Sequence, residues 1–310
     1  MVVSICIISY NHEDFITQAI NSVLHQKGSF DLEIVIGDDG STDNTQEVIR
    51  KTAKAHSEIN FVLLMREKNI GMMPNFIDTL NSCTGDFIAF LEGDDFWIDD
   101  QKLAKQIQSF SENNDISGVF TDTLEVNHEG KSLQKFSAYR KALHAKSSGV
   151  MRAHQIIEAP LRIVHIGSLM VKKQHFDFPV WFEKVKAGDF IFVVFLLVKG
   201  PFYYLNEAMV AYRKHEESVT SSNQGFNKEY YLHLESAFKK LNEATNKVFD
   251  LSLKRASLSR KIQYYIFVLS SNSSFIKKIS ASFGLLINYK RSDYLLKDIL
   301  WLIRKNLYSK

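Results

Sequence analysis

Residues 92–95 read Glu-Gly-Asp-Asp, and they follow directly on the apolar run Phe-Ile-Ala-Phe-Leu at residues 87–91. A run of this length and character predicts a buried strand. Three carboxylates at the end of a strand repel one another unless a cation or a hydrogen-bond donor lies among them. A hard divalent cation such as Mg²⁺ or Mn²⁺ prefers oxygen ligands of this kind, and it commonly bridges carboxylates and substrate phosphates. The alternative to a metal site is that residues 92–95 form an acidic turn between the strand and a solvated helix.

Two other predicted strands also end in polar residues. Ser9 is followed by Tyr-Asn at 10–11, and the strand that ends at Gly37 is followed by Asp-Asp-Gly-Ser at 38–41. Strands and helices alternate in the first half of the chain, with strands predicted at Val2–Ser9, Leu32–Gly37, Asn60–Met65 and Asp86–Leu91. This alternation predicts an α/β fold with a mostly parallel sheet covered by helices on both faces. Because ligands bind beyond the carboxyl ends of the strands in such sheets, the three polar strand ends are predicted to form one site.

Asp189 is a further acidic residue in a position that suits chemistry. It follows Gly188 and precedes the apolar run Phe190–Val198, which predicts a buried helix that ends at Gly200. Two roles for its carboxylate remain open. It can cap the first turn of the helix by accepting hydrogen bonds from backbone amides. If it faces the cleft, it can instead take the proton from an attacking hydroxyl group as a general base.

The size and composition predict one large domain, or one domain with an appendage. The 310 residues are 45% hydrophobic and include 23 Phe and 12 Tyr, which is enough for a sizeable core. From about residue 235 onwards the pattern is helical throughout. The predicted domains are therefore residues 1–235, which hold the sheet, and residues 236–310. Residues 131–160 are irregular and basic, and we expect them to form a loop over the site.

The C-terminal region carries much of the positive charge. Residues 251–310 hold twelve Lys and Arg but two Asp and no Glu, in a chain whose net charge is +3. Within this region, Ser292–Tyr308 has the pattern of an amphipathic helix with Trp301 at the margin of its apolar face. Such a helix suits an anionic membrane surface, or it packs on the catalytic domain or on a second subunit of a homo-oligomer. No motif for reading nucleic acid accompanies the charge, so nucleic acid is not a predicted partner.

The sequence predicts a cytoplasmic protein. The N-terminus passes directly into the first strand without a basic leader, so no signal peptide is expected. No stretch reaches the roughly 18 uncharged apolar residues that a membrane span requires. The two cysteines, Cys6 and Cys83, lie in apolar segments and form neither a disulfide framework nor a zinc-binding spacing. A peripheral position on the inner face of the cell membrane follows if the basic tail binds lipid.

The order of these motifs resembles that of the family 2 glycosyltransferases with the GT-A fold. The resemblance covers about residues 3–220, and it is carried by Ile-Ile-Ser-Tyr-Asn at 7–11, Asp-Asp-Gly-Ser-Thr-Asp at 38–43, Asn-Ile-Gly at 69–71 and Glu-Gly-Asp-Asp at 92–95. It implies a GT-A-type nucleotide-binding sheet and a nucleotide-diphosphate sugar donor, most often UDP-linked. One departure is Glu92, because the family carries Asp at this position of its metal motif. The role of Glu92 therefore stays open.

The resemblance also implies roles for individual residues. Asp39 matches the acid that recognises the uracil imide, and Asp189 matches the catalytic base. The metal, Mn²⁺ or Mg²⁺, would be bound by Asp94, Asp95 and His215. The implied nucleotide-binding residues are Ser9, Tyr10, Glu13, Asp39, Asn69, Gly71, Glu92, Asp95 and Arg213.

The predicted function is metal-dependent, inverting transfer of a hexosyl or N-acetylhexosaminyl group from a nucleotide sugar. The acceptor is a hydroxyl group of a glycan or lipid-linked saccharide in the assembly of a surface polysaccharide. One alternative is a scaffold that binds sugar nucleotides without turnover. Another is a nucleotidyltransferase, although the basic glycine-rich loop expected near its N-terminus is absent. A dinucleotide-binding dehydrogenase is excluded, because no Gly-x-Gly-x-x-Gly follows the first strand.

His165 also has two possible roles. It lies in the segment Val-His-Ile-Gly-Ser, between apolar residues on both sides. The residue is predicted either to line the acceptor pocket or to lie in the core with its ring nitrogens satisfied.

Overall fold

The computed structural model describes residues 1–140, 143, 146–159, 162–173, 178–185, 188–215, 228–270 and 281. The chain divides into two compact units. The first consists of residues 1–156 and 161–215 and holds the sheet. The second consists of residues 157–160 and 216–310.

Ten strands of the described residues form one mixed sheet in the first unit. They are β1 (Val2–Ser9), β2 (Asp31–Asp38), β3 (Asn60–Met65), β4 (Phe87–Glu92), β5 (Phe96–Trp97), β6 (Gly118–Val126), β7 (Ser132–Lys135), β8 (Gly149–Met151), β9 (Met170–Lys172) and β10 (Phe202–Arg213). The order is β3-β2-β1-β4-β9-β6-β10-β5, with β7 on β6 and β8 on β10. Strands β1 to β4 are parallel to one another, and β9 and β5 are antiparallel to their neighbours. The predicted α/β class with a mostly parallel sheet is confirmed, and the first four predicted strands agree with the structure to within one residue at each end.

The helices of the described residues alternate with these strands. They are α1 (Ile16–Leu24), α2 (Thr45–Ala55), α3 (Met72–Asn81), α4 (Lys102–Glu112), α5 (Phe136–Tyr139), α6 (Ala153–Ile157), α7 (Gly188–Leu197), α8 (Lys228–Ala244) and α9 (Asp250–Ser270), with 3₁₀ turns at Ile166–Ser168 and Val180–Lys184. Strand β1 is buried along almost its whole length, as expected when helices cover both faces of a parallel sheet. Helix α1 packs on the sheet through Ile16, Ala19, Ile20 and Val23. Cys6 and Cys83 are buried as free thiols.

The segment predicted as an irregular loop contains short regular elements. Within residues 131–160, the described part includes β7, β8, α5 and α6. The prediction of an irregular segment is therefore wrong for these stretches. Short elements of this kind are hard to predict, because three to five residues carry too little periodicity to separate a strand from a loop.

The second unit is helical where it is described. Helices α8 and α9 are joined by a hydrogen bond from Asn242 Nδ2 to Asp250 Oδ1 of 2.8 Å, and Leu241 and Leu253 are buried. The predicted domain boundary at residue 235 falls inside α8, whereas the compact unit begins earlier, at Glu216. The predicted amphipathic helix Ser292–Tyr308 lies outside the described residues. No helix in the described part of the chain combines the length and hydropathy needed to span a bilayer.

A buried lysine in α4 gives the stability of the fold a testable pH dependence. The side chain of Lys102 is fully buried, with Nζ 2.8 Å from Gln106 Oε1 and 4.1 Å from the centre of the Trp97 ring. Burial lowers the pKa of Lys102 to about 7. Between that pH and the ordinary lysine value of about 10.4, the unfolded chain binds a proton at this site that the folded chain does not. The contribution of Lys102 to the free energy of unfolding must therefore rise with pH in this window.

We expect the stability of the wild type, relative to Lys102→Met, to increase between pH 7 and pH 9. The measurement is urea denaturation of both proteins across this range, with exposed Lys51→Met as the matched control. The free energy of unfolding of the control is expected to change with pH in the same way as that of the wild type. If the free energy of unfolding of Lys102→Met also changes with pH in the same way as that of the wild type, Lys102 is charged in the folded protein and the prediction fails.

Candidate functional site

The three polar strand ends lie side by side on one rim of the sheet. The parallel register places Ser9 beside Asp38 and Ile8 beside Glu92. Backbone hydrogen bonds extend this pairing past the strands, from the Asp39 amide to the Ser9 carbonyl and from the Gly93 amide to the Ile8 carbonyl, each 2.9 Å long. The prediction that these segments meet at one edge is confirmed.

The end of β10 reaches the same rim because of the strand directions. Strand β9 is antiparallel to both β4 and β6, so β4 and β6 point the same way, and β10 runs parallel to β6. The carboxyl end of β10 is therefore on the side of the sheet where the acidic motif lies. This places His215, two residues beyond β10, next to Asp94.

Asp94 lies between two imidazoles. Its Oδ2 is 3.1 Å from His215 Nε2 and 4.0 Å from His12 Nε2. Burial alone would raise the pKa of Asp94, but the hydrogen bond to His215 and the nearby ring of His12 bring it below the ordinary value. Phe15 packs on the His215 ring at 5.1 Å between ring centres and keeps it in place. Asp94 therefore carries a carboxylate that faces two nitrogen donors.

Asp95 faces the interior, away from Asp94's imidazoles. It is 1% exposed, and its Oδ1 accepts a 2.8 Å hydrogen bond from the Arg213 backbone amide. Its Oδ2 lies 3.2 Å from His165 Nε2. Burial, together with the charges of Asp94 and Glu92, raises the pKa of Asp95 well above the ordinary value. Asp95 Oδ2 has no hydrogen-bond partner among the described residues, so the predicted contacts of Asp95 with the metal and the nucleotide stay predictions.

Arg213 is also enclosed by protein groups. The residue is 3% exposed, and its Nε and NH2 donate to the Asp94 carbonyl at 2.9 Å and to Gln18 Oε1 at 2.6 Å. Its NH1 donates to the His128 carbonyl. The guanidinium group lies 4.8 Å from the ring centre of Phe15. These contacts hold the loop of the acidic motif in place, and the predicted contact of Arg213 with the nucleotide stays a prediction.

Glu92, Asp95 and His165 form a group that could hold a metal ion, since one ligand atom from each lies within 4.8 Å of the others. The ring of His165 favours a different role. Its Nδ1 accepts a hydrogen bond from the Gly167 amide, so in the neutral ring the proton is on Nε2, which points to the two carboxylates. Burial and two nearby arginines lower the pKa of His165 to about 3, which keeps the ring neutral. Nε2 can then act as a hydrogen-bond donor, but it cannot bind a metal without losing its proton.

Glu92 differs from the other carboxylates of the motif. Its Oε2 lies 3.6 Å from His165 Nε2. Burial and the charge of Asp94 raise the pKa of Glu92 to about 7, against the opposing charge of Arg162. Near neutral pH, the ionised form of this carboxyl group, which accepts hydrogen bonds, and its protonated form, which can also donate one, are therefore both populated.

The loop that holds Asp39, Asn69 and Gly71 is built by backbone hydrogen bonds. The two oxygens of Asp39 accept from the amides of Ile70, at 2.7 Å, and Gly71, at 3.1 Å. Asn69 Oδ1 also accepts from the Gly71 amide, and Gly71 has φ of 101°, which favours glycine. Each Asp39 oxygen keeps a lone pair for a further donor. The predicted role of Asp39 in base recognition therefore remains a prediction that the geometry permits.

Ser9, Tyr10 and Glu13 lie at the same rim with different degrees of exposure. The Tyr10 side chain is exposed and available for stacking, whereas Ser9 is buried with no hydrogen-bond partner for its Oγ among the described residues. Glu13 Oε2 accepts from the backbone and side-chain amides of Asn44, each at 2.8 Å. The predicted contacts of these three residues with the base and ribose stay predictions. The hydrogen bonds of Glu13 to Asn44 also join two loops of the rim.

Asp189 lies in the first turn of α7, and Gly188 is needed to bring it there. A Cβ atom on Gly188 would lie 1.8 Å from Met73 Sδ, so a larger residue would require the Met73 side chain of α3 to move. The carboxylate of Asp189 forms an ion pair with Arg162, and both side chains are about one-third exposed, at 30% and 38%. The Asp189 carboxylate is therefore accessible to solvent, and it is paired with the Arg162 guanidinium group.

Sequence reasoning missed three residues that shape the site: His12, Phe15 and Arg162. His12 directly follows the polar end of β1, so its position was a usable signal. Arg162 stands alone before the apolar run Ile163–Val171, where an isolated charge is unusual. Nothing in the local pattern marks Phe15 as the ring that packs on His215.

The donor set around Asp94 fits the divalent cation that the motif implies. Asp94 Oδ2 and His215 Nε2 are 3.1 Å apart, a distance that two ligands of one ion can have, and His12 Nε2 lies farther from the same oxygen, at 4.0 Å. The buried Nδ1 of His12 has no hydrogen-bond partner among the described residues. Asp94 and His215 would hold the metal, and the predicted ligand role of Asp95, which belongs to the alternative group with Glu92 and His165, stays a prediction.

Comparison with known proteins finds a family model, sequence relatives and solved structures to which this chain is similar. The family model "Glycosyl transferase family 2" matches residues 4–157, which contain all three polar strand ends. An uncharacterized protein of Mycobacterium tuberculosis is 30% identical over 223 residues, which are 71% of this chain and 60% of the relative. The chain thus spans less than two thirds of that protein. The putative teichuronic acid biosynthesis glycosyltransferase TuaG of Bacillus subtilis is 29% identical, over 71% of this chain and 82% of the relative.

Two solved structures share the fold at low sequence identity. TarS 1-349 of S. aureus in complex with UDP has a TM-score of 0.65 and 16% identity, with 99% of this chain and 89% of that chain covered. The mannosyltransferase PcManGT of Pyrobaculum calidifontis, in complex with GDP-Man and Mn²⁺, has a TM-score of 0.54 and 16% identity. The match to PcManGT covers all of this chain and 87% of that one.

Proposed function

Because the chain belongs to glycosyl transferase family 2, we propose that it is a metal-dependent, inverting glycosyltransferase. It moves a sugar from a nucleotide-diphosphate donor to a hydroxyl group of a glycan or lipid-linked saccharide. The observation that carries this proposal is the single rim on which the ends of β1, β2 and β4 meet Asp94 and His215. A site of this kind can hold a base, a diphosphate and a metal in one line.

The donor is proposed to be UDP-linked. The free lone pairs on Asp39 can accept the N–H of a pyrimidine imide, and the exposed Tyr10 ring can stack on the base. TarS was solved with UDP and PcManGT with GDP-Man and Mn²⁺, so proteins of this fold bind nucleotides and nucleotide sugars. A carboxylate can also accept N–H groups of guanine, so the choice of uridine rests on the match of Asp39 to the acid that recognises the uracil imide in the family.

The chemistry requires that the departing diphosphate be stabilised. A divalent cation bound at Asp94 and His215 would neutralise the charge that develops on the leaving group. The contacts of Arg213 with the Asp94 carbonyl and of Asp95 with the Arg213 amide fix the backbone that carries the Asp94 carboxylate. This rigidity matters, because electrostatic stabilisation depends on groups that are already in position.

Asp189 is the proposed general base. It would accept the proton of the acceptor hydroxyl as that oxygen attacks the anomeric carbon. With the base on the face of the sugar opposite the diphosphate, displacement is in line and the anomeric configuration inverts. The ion pair joins Arg162 NH1 to Asp189 Oδ2, so Oδ1 is the oxygen proposed to take the proton.

The acceptor is proposed to be a saccharide of a surface polysaccharide. TuaG, which is similar over most of both chains, is named for teichuronic acid biosynthesis. The basic residues of the C-terminal region suit a position on the anionic inner face of the cell membrane, where lipid-linked saccharides are found.

The proposal is tested by a panel of nucleotide sugars. We expect isothermal titration calorimetry with Mn²⁺ to show binding of one nucleotide class, with UDP-linked donors favoured, and binding to weaken when the metal is removed with EDTA. Slow hydrolysis of the same donor, followed as release of UDP, would report turnover without the acceptor. If no nucleotide binds with or without Mn²⁺, the proposed function is wrong.

A further inference from the structure

We propose that Arg162 is a positioning residue for the general base: it holds Oδ2 of the Asp189 carboxylate and so directs Oδ1 toward the attacking hydroxyl group. The inference rests on the proposed function, because a base is needed only if a hydroxyl group attacks the donor. Arg162 lies outside the motifs at the strand ends, in the segment before the 3₁₀ turn Ile166–Ser168. Its role follows from what it contacts rather than from a sequence pattern.

The direction of the Asp189 carboxylate depends on this one contact. In the described part of the chain, its polar contact is the ion pair from Oδ2 to Arg162 NH1, and no backbone amide donates to it. The Asp189 side chain is 30% exposed, so packing alone does not fix its rotamer. The ion pair, and not a capping hydrogen bond, is therefore what orients the carboxylate in the first turn of α7.

Apolar neighbours hold the stem of Arg162 next to α7. Arg162 lines a small pocket together with five apolar residues, which are Ile156, Ile163, Val164, Phe190 and Val193. Phe190 and Val193 belong to α7, the helix that carries Asp189. A long basic side chain packs its stem on apolar surface and keeps its charged end at a polar partner or in water. The pocket therefore positions the guanidinium group against the helix whose carboxylate it binds.

The charge of Arg162 also reaches the acidic end of β4. Burial and the charge of Asp94 raise the pKa of Glu92, and the charge of Arg162 opposes this rise. Arg162 therefore lies close to the acidic motif as well as to Asp189. A cation between two groups of acids offsets their repulsion and favours the ionised form of each. Only the ionised form of Asp189 can accept a proton.

An anchored carboxylate suits the chemistry of a general base. The ion pair occupies Oδ2, and Oδ1 keeps its lone pairs for the proton of the hydroxyl group. Proton transfer requires the base to lie within hydrogen-bond reach of that hydroxyl group. Loss of Arg162 should therefore lower kcat by about tenfold, less than the roughly 10²-fold that a displacement of about 1 Å can cost. Donor affinity should be unchanged.

The test is chemical rescue of Arg162→Ala. The assay is release of UDP from a UDP-sugar with Mn²⁺, in which water replaces the acceptor. The water oxygen attacks the anomeric carbon, its proton passes to Asp189 Oδ1, and the bond to the diphosphate breaks as UDP leaves. We expect ethylguanidinium to restore much of the lost rate, because it can fill the vacated space and pair with Oδ2. Ethylurea, which has a similar shape but no charge, should have no effect.

Two further variants complete the experiment. Arg50→Ala, at an exposed position in α2, is the matched control and should have the wild-type rate with either additive. Arg162→Lys keeps a positive charge that can pair with Oδ2, so its loss of kcat should be smaller than that of Arg162→Gln. This comparison tests the inference even if Arg162→Ala does not fold.

The outcomes separate this inference from the proposed function. A wild-type rate in Arg162→Ala, equal effects of ethylguanidinium and ethylurea, or equal losses in Arg162→Lys and Arg162→Gln overturn the positioning role. Binding and hydrolysis of the donor by the wild type still support the proposed function in that case. If the wild type hydrolyses no nucleotide sugar, the proposed function is wrong instead.

Discussion

Replacement of Asp189 with Asn should lower the rate of sugar transfer by about 10²–10⁴-fold, the usual contribution of a general base. A carboxamide keeps the size of the side chain but cannot accept the proton of the acceptor hydroxyl. Donor binding should be unchanged, because the predicted donor contacts lie at the ends of β1, β2 and β4 rather than at α7. The measurements are kcat with a saccharide acceptor and the Kd of the donor by calorimetry.

The ion pair with Arg162 requires a second variant, because Asn at position 189 also breaks that pair. Arg162→Gln removes the same pair and leaves the carboxylate in place. We expect this variant to retain far more transfer activity than Asp189→Asn, since its base is intact. Exposed Asp115→Asn is the matched control for the substitution itself. Equal losses in Asp189→Asn and Arg162→Gln would mean that the ion pair, and not proton transfer, explains the effect.

Replacement of Asp94 with Ala should abolish metal-dependent nucleotide binding. Loss of a group that merely supports a metal ligand costs about 10–100-fold in affinity, so loss of the central carboxylate should cost more than about 100-fold. The measurements are Mn²⁺ titrations in the presence of UDP. Because the charge of Asp94 raises the pKa of Glu92, that pKa should also fall in the variant. Exposed Asp115→Ala is the control, and it should bind metal and nucleotide normally.

The alternative metal group gives this experiment a second outcome. If the metal response survives in Asp94→Ala, the assignment to Asp94 is wrong, and the group of Glu92, Asp95 and His165 becomes the metal site. His165→Gln would then remove the metal response. In the present assignment, His165→Gln should leave metal affinity largely intact, because His165 is not an assigned ligand and the proton of its neutral ring is on Nε2.

Much of the fold and part of the site could be predicted from the sequence. The alternation of apolar runs with amphipathic segments specifies βαβ units, and the handedness and direction of these units leave one rim for all the carboxyl ends of the strands. The ends of β1, β2 and β4 thus had to meet, and their polar residues had to form one site. The short elements between residues 131 and 160 could not be predicted, because they carry almost no periodicity.

The sequence by itself determined where the rim lies and that Asp94 and Asp189 belong to segments able to do chemistry. Only the tertiary structure decided which neighbours each acid has. Asp95 and Arg213, 118 positions apart, meet because β10 pairs with β5, and this pairing turns both residues inward. His12 reaches Asp94 through the pairing of β1 with β4, and Arg162 reaches Asp189 by the packing of the first unit. A local sequence pattern indicates which face of a helix or strand is apolar. Contacts between distant segments depend instead on strand order and packing, which cannot be predicted from any single segment.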